Sequence, residues 1–179
     1  MITGRPTSAP VDVGWLRDFI ARWEGGWNSH DPERLLALMT EDIEYEDSAW
    51  PTVMHGHADV RRFLHSAWTA IPDLRFEMEG DPFIGASASP SAAFYWRGTG
   101  RFTGPLEPPG FAPTGRTLEF YGADFHEYRD GKVARLKIVF DNMDVGRQLG
   151  LLPAAGSRAD RVGATAQRLA MRLRSLRRP

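Results

Sequence analysis

The chain of 179 residues sets 22 Lys and Arg against 23 Asp and Glu, a formal net charge of −1, with 42% hydrophobic and 25% charged residues. That balance belongs to a folded globular domain; it excludes disorder, collagen and coiled coil, and it disfavours nucleic acid or an anionic membrane as a partner. There is no cysteine, which removes disulfides, thiolate metal sites and cysteine nucleophiles together. Residues 1–10 have no apolar core and no later run of about 18 apolar residues exists, so no signal peptide or membrane span is expected, and a cytoplasmic location is.

Charge is unevenly distributed. Residues 154–179 hold seven Arg and one Asp, a balance of +6, which leaves −7 on residues 1–153. The joint Pro153-Ala-Ala-Gly-Ser157 marks a boundary. Three parts are predicted: a flexible N-terminus over 1–11, a domain over 12–153 and a basic tail over 154–179. In the tail Val162, Ala166, Leu169, Leu173 and Leu176 recur at spacings of three and four, the pattern of an amphipathic helix. Its basic face could dock on the acidic domain or a partner, or stay solvated.

From Asp12, the residues Leu16, Phe19, Ile20, Trp23 and Trp27 fall at helical spacing, and Gly25-Gly26 predicts the end of this first helix. Asp31-Pro32 is an N-cap followed by proline at the first helical position, opening a short second helix through Leu35, Leu36, Leu38 and Met39. Ile43, Tyr45 and Asp47 alternate with Glu44 and Glu46, a brief strand that turns Asp47 inward. A third helix is predicted from about Ala58 through Val60, Phe63, Leu64, Ala67, Trp68 and Ile71, and Pro72 stops it.

After Pro72 the period changes to two. Leu74, Phe76 and Met78 form one alternating set; Ala92, Phe94, Trp96 and Phe102 form the next. Residues 103–115, with four prolines and three glycines, can only be a loop. Thr117 to Tyr128 reads as a long strand, Arg129-Asp130-Gly131 as a tight turn and Val133 to Phe140 as the returning strand. Asp141 suits the cap of a last short helix ending at Gly150. Three helices followed by an antiparallel meander of four strands give the fold class α+β.

On these strands Leu118, Phe120, Gly122, Asp124, His126 and Tyr128 share one face, as do Leu136, Ile138 and Phe140. A mid-strand aspartate among apolar neighbours is costly unless paired or protonated, and His126 is placed to be its partner. For His126 the alternative is a satisfied core histidine, and for Asp47 a turn-capping carboxylate. His55 and His57 flank Gly56 in a loop-and-cap setting, and the five histidines lack metal-ligand spacing, so no metal is expected. The opposite face carries Tyr121, Ala123, Phe125, Val133 and Val139, an apolar surface that predicts a homodimer.

Four segments, in order, carry a resemblance over residues 12–153. They are Ile71-Pro-Asp-Leu-Arg-Phe-Glu-Met-Glu79, Thr103-Gly-Pro with Pro113-Thr-Gly-Arg116, Gly122 to Val133, and Phe140-Asp with Gln148-Leu-Gly-Leu-Leu-Pro153. The chain resembles the nuclear transport factor 2-like superfamily and, within it, the SnoaL-like polyketide cyclases. The resemblance implies a cone-shaped α+β fold, a curved sheet around a long helix with a mostly apolar pocket, and a dimer through the outer sheet face. Asp47 matches the catalytic base of the related ketosteroid isomerases and Asp124 their buried, protonated hydrogen-bond donor. Trp23 stands where those isomerases keep a tyrosine. Ile138 stands where the cyclases keep a catalytic aspartate.

The site expected from residues and resemblance together has Asp47 as an ionised base, with Asp124 and His126 as the acid or oxyanion partner. Trp23, Tyr45, Trp68, Trp96, Phe120, Leu136, Ile138 and Phe140 are expected to hold the ligand. The function that follows is binding of a small, largely apolar carbonyl compound, with cofactor-free isomerisation or cyclisation. The alternative is a non-catalytic binding or assembly module on the same fold.

Overall fold

The computed structural model describes residues 11–86 and 89–175. The flexibility expected of residues 1–10, and Leu176 with the arginines beyond it, lie outside the described residues. Val11 itself packs against the core.

Helix α1 (Val13–Ser29) starts at Asp12, whose carboxylate accepts from the Trp15 N–H at 2.8 Å. It runs through Gly25-Gly26 instead of ending there. The reason is packing: a Cβ on Gly26 would stand 2.9 Å from Cδ1 of Leu35, so this glycine lets α2 (Pro32–Leu36) close onto α1. Its low helix propensity, a cost of about 1 kcal/mol, is outweighed by the burial of Leu16, Phe19, Ile20, Trp23 and Trp27 at roughly 1.5–3 kcal/mol each. His30, with φ of 54°, ends the helix in the left-handed region.

Strand β1 (Met39–Asp47) begins where the second helix was expected to end, and β2 (Met54–His55) folds back on it. Helix α3 (Gly56–Ala70) then crosses to β3 (Arg75–Ile84), and β4 (Ser91–Arg101), β5 (Thr117–Arg129) and β6 (Lys132–Phe140) complete the meander. Among the described residues the strands form one sheet in the order β2-β1-β6-β5-β4-β3. The pairs β3·β4, β4·β5 and β5·β6 are antiparallel, while β1 lies parallel to β6. Helices α1 and α3 cover one face, and the core lies between Phe19, Trp23 and Leu64 on the helices and Tyr45, Phe94 and Leu136 on the strands.

The sheet departs from strict alternation where β5 meets β6. A register shift between Glu127 and Tyr128 brings Tyr128 opposite Val133. Val133 is therefore buried, although it was expected on the outer face, because a bulge adds a residue and reverses the side to which later side chains point. Ala123 is also buried, flanked in register by Tyr95 and Val139. Tyr95, Tyr121, Phe125 and Val139 do stand exposed on that face.

Asp141 caps α4 (Asn142–Gln148), accepting from the N–H groups of Met143 and Asp144. Leu149 and Leu151 behind it pack with Phe102 and Leu118. The tail forms the amphipathic helix α5 (Arg158–Ser175), and its apolar residues Val162, Leu169 and Leu173 are all more than half exposed. The apolar side of α5 is thus not buried on the domain. No helix among the described residues is long and apolar enough to cross a membrane.

Candidate functional site

The inward face of the sheet brings Asp47, Ile138, Asp124 and Phe94 into one cross-strand row. Asp47 of β1 is in register with Ile138 of β6, which is in register with Asp124 of β5, which faces Phe94 of β4. The parallel placement of β1 beside β6 creates this row.

Asp124 is 2% exposed. Its Oδ1 accepts from Trp96 Nε1 at 2.7 Å, and its Oδ2 accepts from Trp23 Nε1 at 3.0 Å and lies 3.4 Å from His126 Nε2. His126 Nδ1 in turn lies 3.2 Å from the Tyr128 hydroxyl. An indole N–H only donates, and the neutral His126 tautomer with hydrogen on Nε2 satisfies both of its contacts. Asp124 is therefore surrounded by donors and acts as the acceptor. Where the resemblance implied a protonated Asp124 offering a hydrogen bond to a ligand, both of its oxygens take N–H contacts from Trp96, Trp23 and His126. Hydrogen bonds of this kind contribute roughly 1.5–3 kcal/mol each to a charged acceptor.

Trp96 reaches Asp124 because of Gly122. The two residues are directly opposed on β4 and β5, and a Cβ on Gly122 would fall 2.3 Å from Cζ2 of the indole. Only a glycine leaves room for the ring to lie across β5.

Asp47 has a different environment. It is 7% exposed, and its Oδ1 accepts from the Ala49 N–H at 2.8 Å. Burial pushes its carboxyl up to about 7, the Ala49 N–H opposes that shift, and the negative charge of Asp124 adds to it. Tyr45, two residues earlier, is fully buried, and its hydroxyl has no hydrogen-bond partner among the described residues. Burial, then Asp47, then Asp124 hold that phenol well above its ordinary range.

A cavity of about 160 Å³ opens between the two helices and the sheet. Asp47, Asp124, Trp23, Trp96, Phe120, Ile138 and Phe140 border it. Tyr45, Trp68, Leu136 and His126 do not border it. Trp68 stacks on His30 at 5.2 Å and meets Trp27 edge-on, which turns it away. His126 is enclosed by the rings of Phe19, Trp23 and Phe94, and Leu136 is buried in the core. His126 is thus a partner of Asp124 that does not reach the cavity.

Trp27, Trp50, Phe63 and Phe76 complete the aromatic wall, and Leu106, Glu107 and Pro108 close it from the loop over 103–116. None of these was singled out from sequence. Trp27 and Phe63 lie on apolar helical stripes, a signal that cannot distinguish a core residue from a cavity wall; Trp50 and Glu107 lie in irregular segments with no periodic signal. No cluster of potential metal ligands occurs among the described residues.

The family model described as SnoaL-like domain matches residues 17–136. AclR from Streptomyces galilaeus has a similar structure, with a TM-score of 0.66 at 20% identity, covering 94% of this chain and all of that one. TsrD from Streptomyces laurentii gives 0.66 at 22% identity, covering 79% and 99%. A candidate SnoaL-like polyketide cyclase from Jannaschia sp. CCS1 gives 0.66 at 15% identity, covering 84% and 99%. At these identities the likeness concerns the fold. No curated protein sequence matches the chain. With the family model spanning most of the domain on this cone of helices and curved sheet, the chain belongs to the SnoaL-like domain family.

Proposed function

We propose that the protein binds a small, largely apolar carbonyl compound in this cavity and isomerises or cyclises it without a cofactor, with Asp47 as the proton-transfer group. One observation carries the reading: a buried carboxyl that borders an apolar cavity is held at about 7, where it can both take and return a proton near neutral pH. Asp124 supplies a fixed negative charge beside it, and Trp23, Trp96 and His126 hold that charge in place. The test is exchange of the α-protons of 2-tetralone in deuterated buffer, followed by proton NMR. Wild type accelerates exchange over buffer and Asp47→Asn does not; equal exchange with both proteins would leave a binding module.

The binding-module reading has its own support. The indole N–H groups of Trp23 and Trp96, which could have stabilised an enolate, are committed to Asp124.

The proposed assembly is a homodimer through the outer sheet face. Tyr95, Tyr121 and Phe125 are about half exposed there on adjacent strands, an apolar surface that a second copy would cover.

A further inference from the structure

The charges around the cavity are all of one sign. Its bordering residues include three acids, Asp47, Glu107 and Asp124, and no Lys, Arg or His among the described residues. His126, the nearest base to this row, has its Nε2 turned to Asp124 and lies outside the cavity wall. An anionic ligand would therefore meet repulsion with no counter-ion, in a setting where low polarity weakens screening.

The aromatic wall points the same way. Trp27, Trp50, Phe63, Phe76, Phe120 and Phe140 border the space together with the two indoles that contact Asp124. Aromatic faces attract cations through their quadrupole, tryptophan most strongly. Donation of the Trp23 and Trp96 N–H groups to a carboxylate pushes electron density back into those rings and deepens that attraction. An aromatic enclosure with carboxylates behind it is suited to a cation too greasy to be strongly hydrated.

We infer that the ligand of this cavity carries a cationic nitrogen with small apolar substituents, a tertiary or quaternary ammonium, seated among the aromatic rings beside Asp47 and Asp124. This rests on the reading of the cavity as the ligand site and names the chemical class it selects.

Three probes of one shape separate the charge from the shape: choline, the neutral 3,3-dimethylbutan-1-ol and the anionic 3,3-dimethylbutanoate. Binding is followed by quenching of tryptophan fluorescence and by calorimetry, since four tryptophans border the cavity. Choline is expected to bind at least about tenfold more tightly than the alcohol, with the carboxylate weakest. Asp47→Asn, which keeps the shape, reduces the preference for choline over the alcohol to a few-fold. Glu107→Gln, on the loop wall, weakens choline about two- to threefold and leaves the alcohol unchanged. Alcohol binding as tightly as choline would overturn the cationic class and leave the apolar site standing. No binding of any probe to wild type would overturn both.

Discussion

Asp47 and Asp124 face the same side of the sheet one strand apart, each in register with Ile138 between them. Neighbouring strands lie about 4.8 Å apart, so the two backbones are separated by roughly 10 Å. At that distance in a dry interior one carboxylate feels the other. Asp124 meets three N–H groups, whereas Asp47 has a single backbone donor.

Stability should report the shift of Asp47, which burial causes in the main and the charge of Asp124 adds to. The Asp47 carboxyl is raised from 3.8 to about 7 in the folded protein. The folded state therefore keeps a proton that the unfolded chain releases from about pH 4 upward, and the stabilisation this gives is lost as pH rises to about 7. The loss is of the order of 4 kcal/mol. Asp47→Asn removes it. Urea unfolding should show the variant close to wild type at pH 4 and several kcal/mol more stable at pH 8; a difference independent of pH would mean that Asp47 does not titrate in this window.

Asp124→Asn presents an amide NH₂ where one oxygen now accepts from an indole. A loss of about 2–4 kcal/mol is expected, more than the roughly 1–3 kcal/mol for Trp96→Phe, which removes one donor and leaves two. A double-mutant cycle by urea denaturation measures the coupling. Additive losses would show that the Trp96 contact contributes nothing specific to Asp124.

Gly122→Ala tests the space under the Trp96 ring. The new methyl would overlap Cζ2 and Cη2, so the indole must move off Asp124 at a cost of about 1–3 kcal/mol. Replacing Trp96 by Phe in the same chain should recover part of that loss, because the smaller ring clears the methyl. Unfolding midpoints of the single and double variants decide it.

For the proposed dimer, the sheet's outer face should be sensitive to charge. Phe125→Glu together with Tyr95→Lys, both at exposed positions, is expected to give a monomer by sedimentation at tens of micromolar without lowering the thermal midpoint by more than a few degrees. A wild-type monomer at that concentration would remove the interface.

The apolar side chains of α5 are exposed, so deletion of residues 154–179 should leave the thermal midpoint of the domain within about 2 °C of the full chain. A larger fall would show that the tail docks in solution, as its +6 charge against −7 could allow.

Local patterns in the chain were enough to determine most elements and which face of each is apolar. The Asp31 and Asp141 caps, the loop over 103–115 and the period-two runs act over a few residues, so they can be read without knowing what lies beside them. The continuation of α1 past Gly25-Gly26 was hidden because its reason is Leu35 on another helix. The burial of Val133 was hidden because a bulge is set by pairing. The roles of the two aspartates depended most on tertiary structure. Sequence placed both on inward faces, but the state of a buried carboxyl depends on which groups meet its oxygens, and those are Trp23, Trp96 and His126 for Asp124 and a single N–H for Asp47. Trp23 lies 101 positions from Asp124 along the chain, and only the folding of α1 over the sheet brings its indole N–H to the carboxylate that Trp96 and His126 contact from neighbouring positions on the strands.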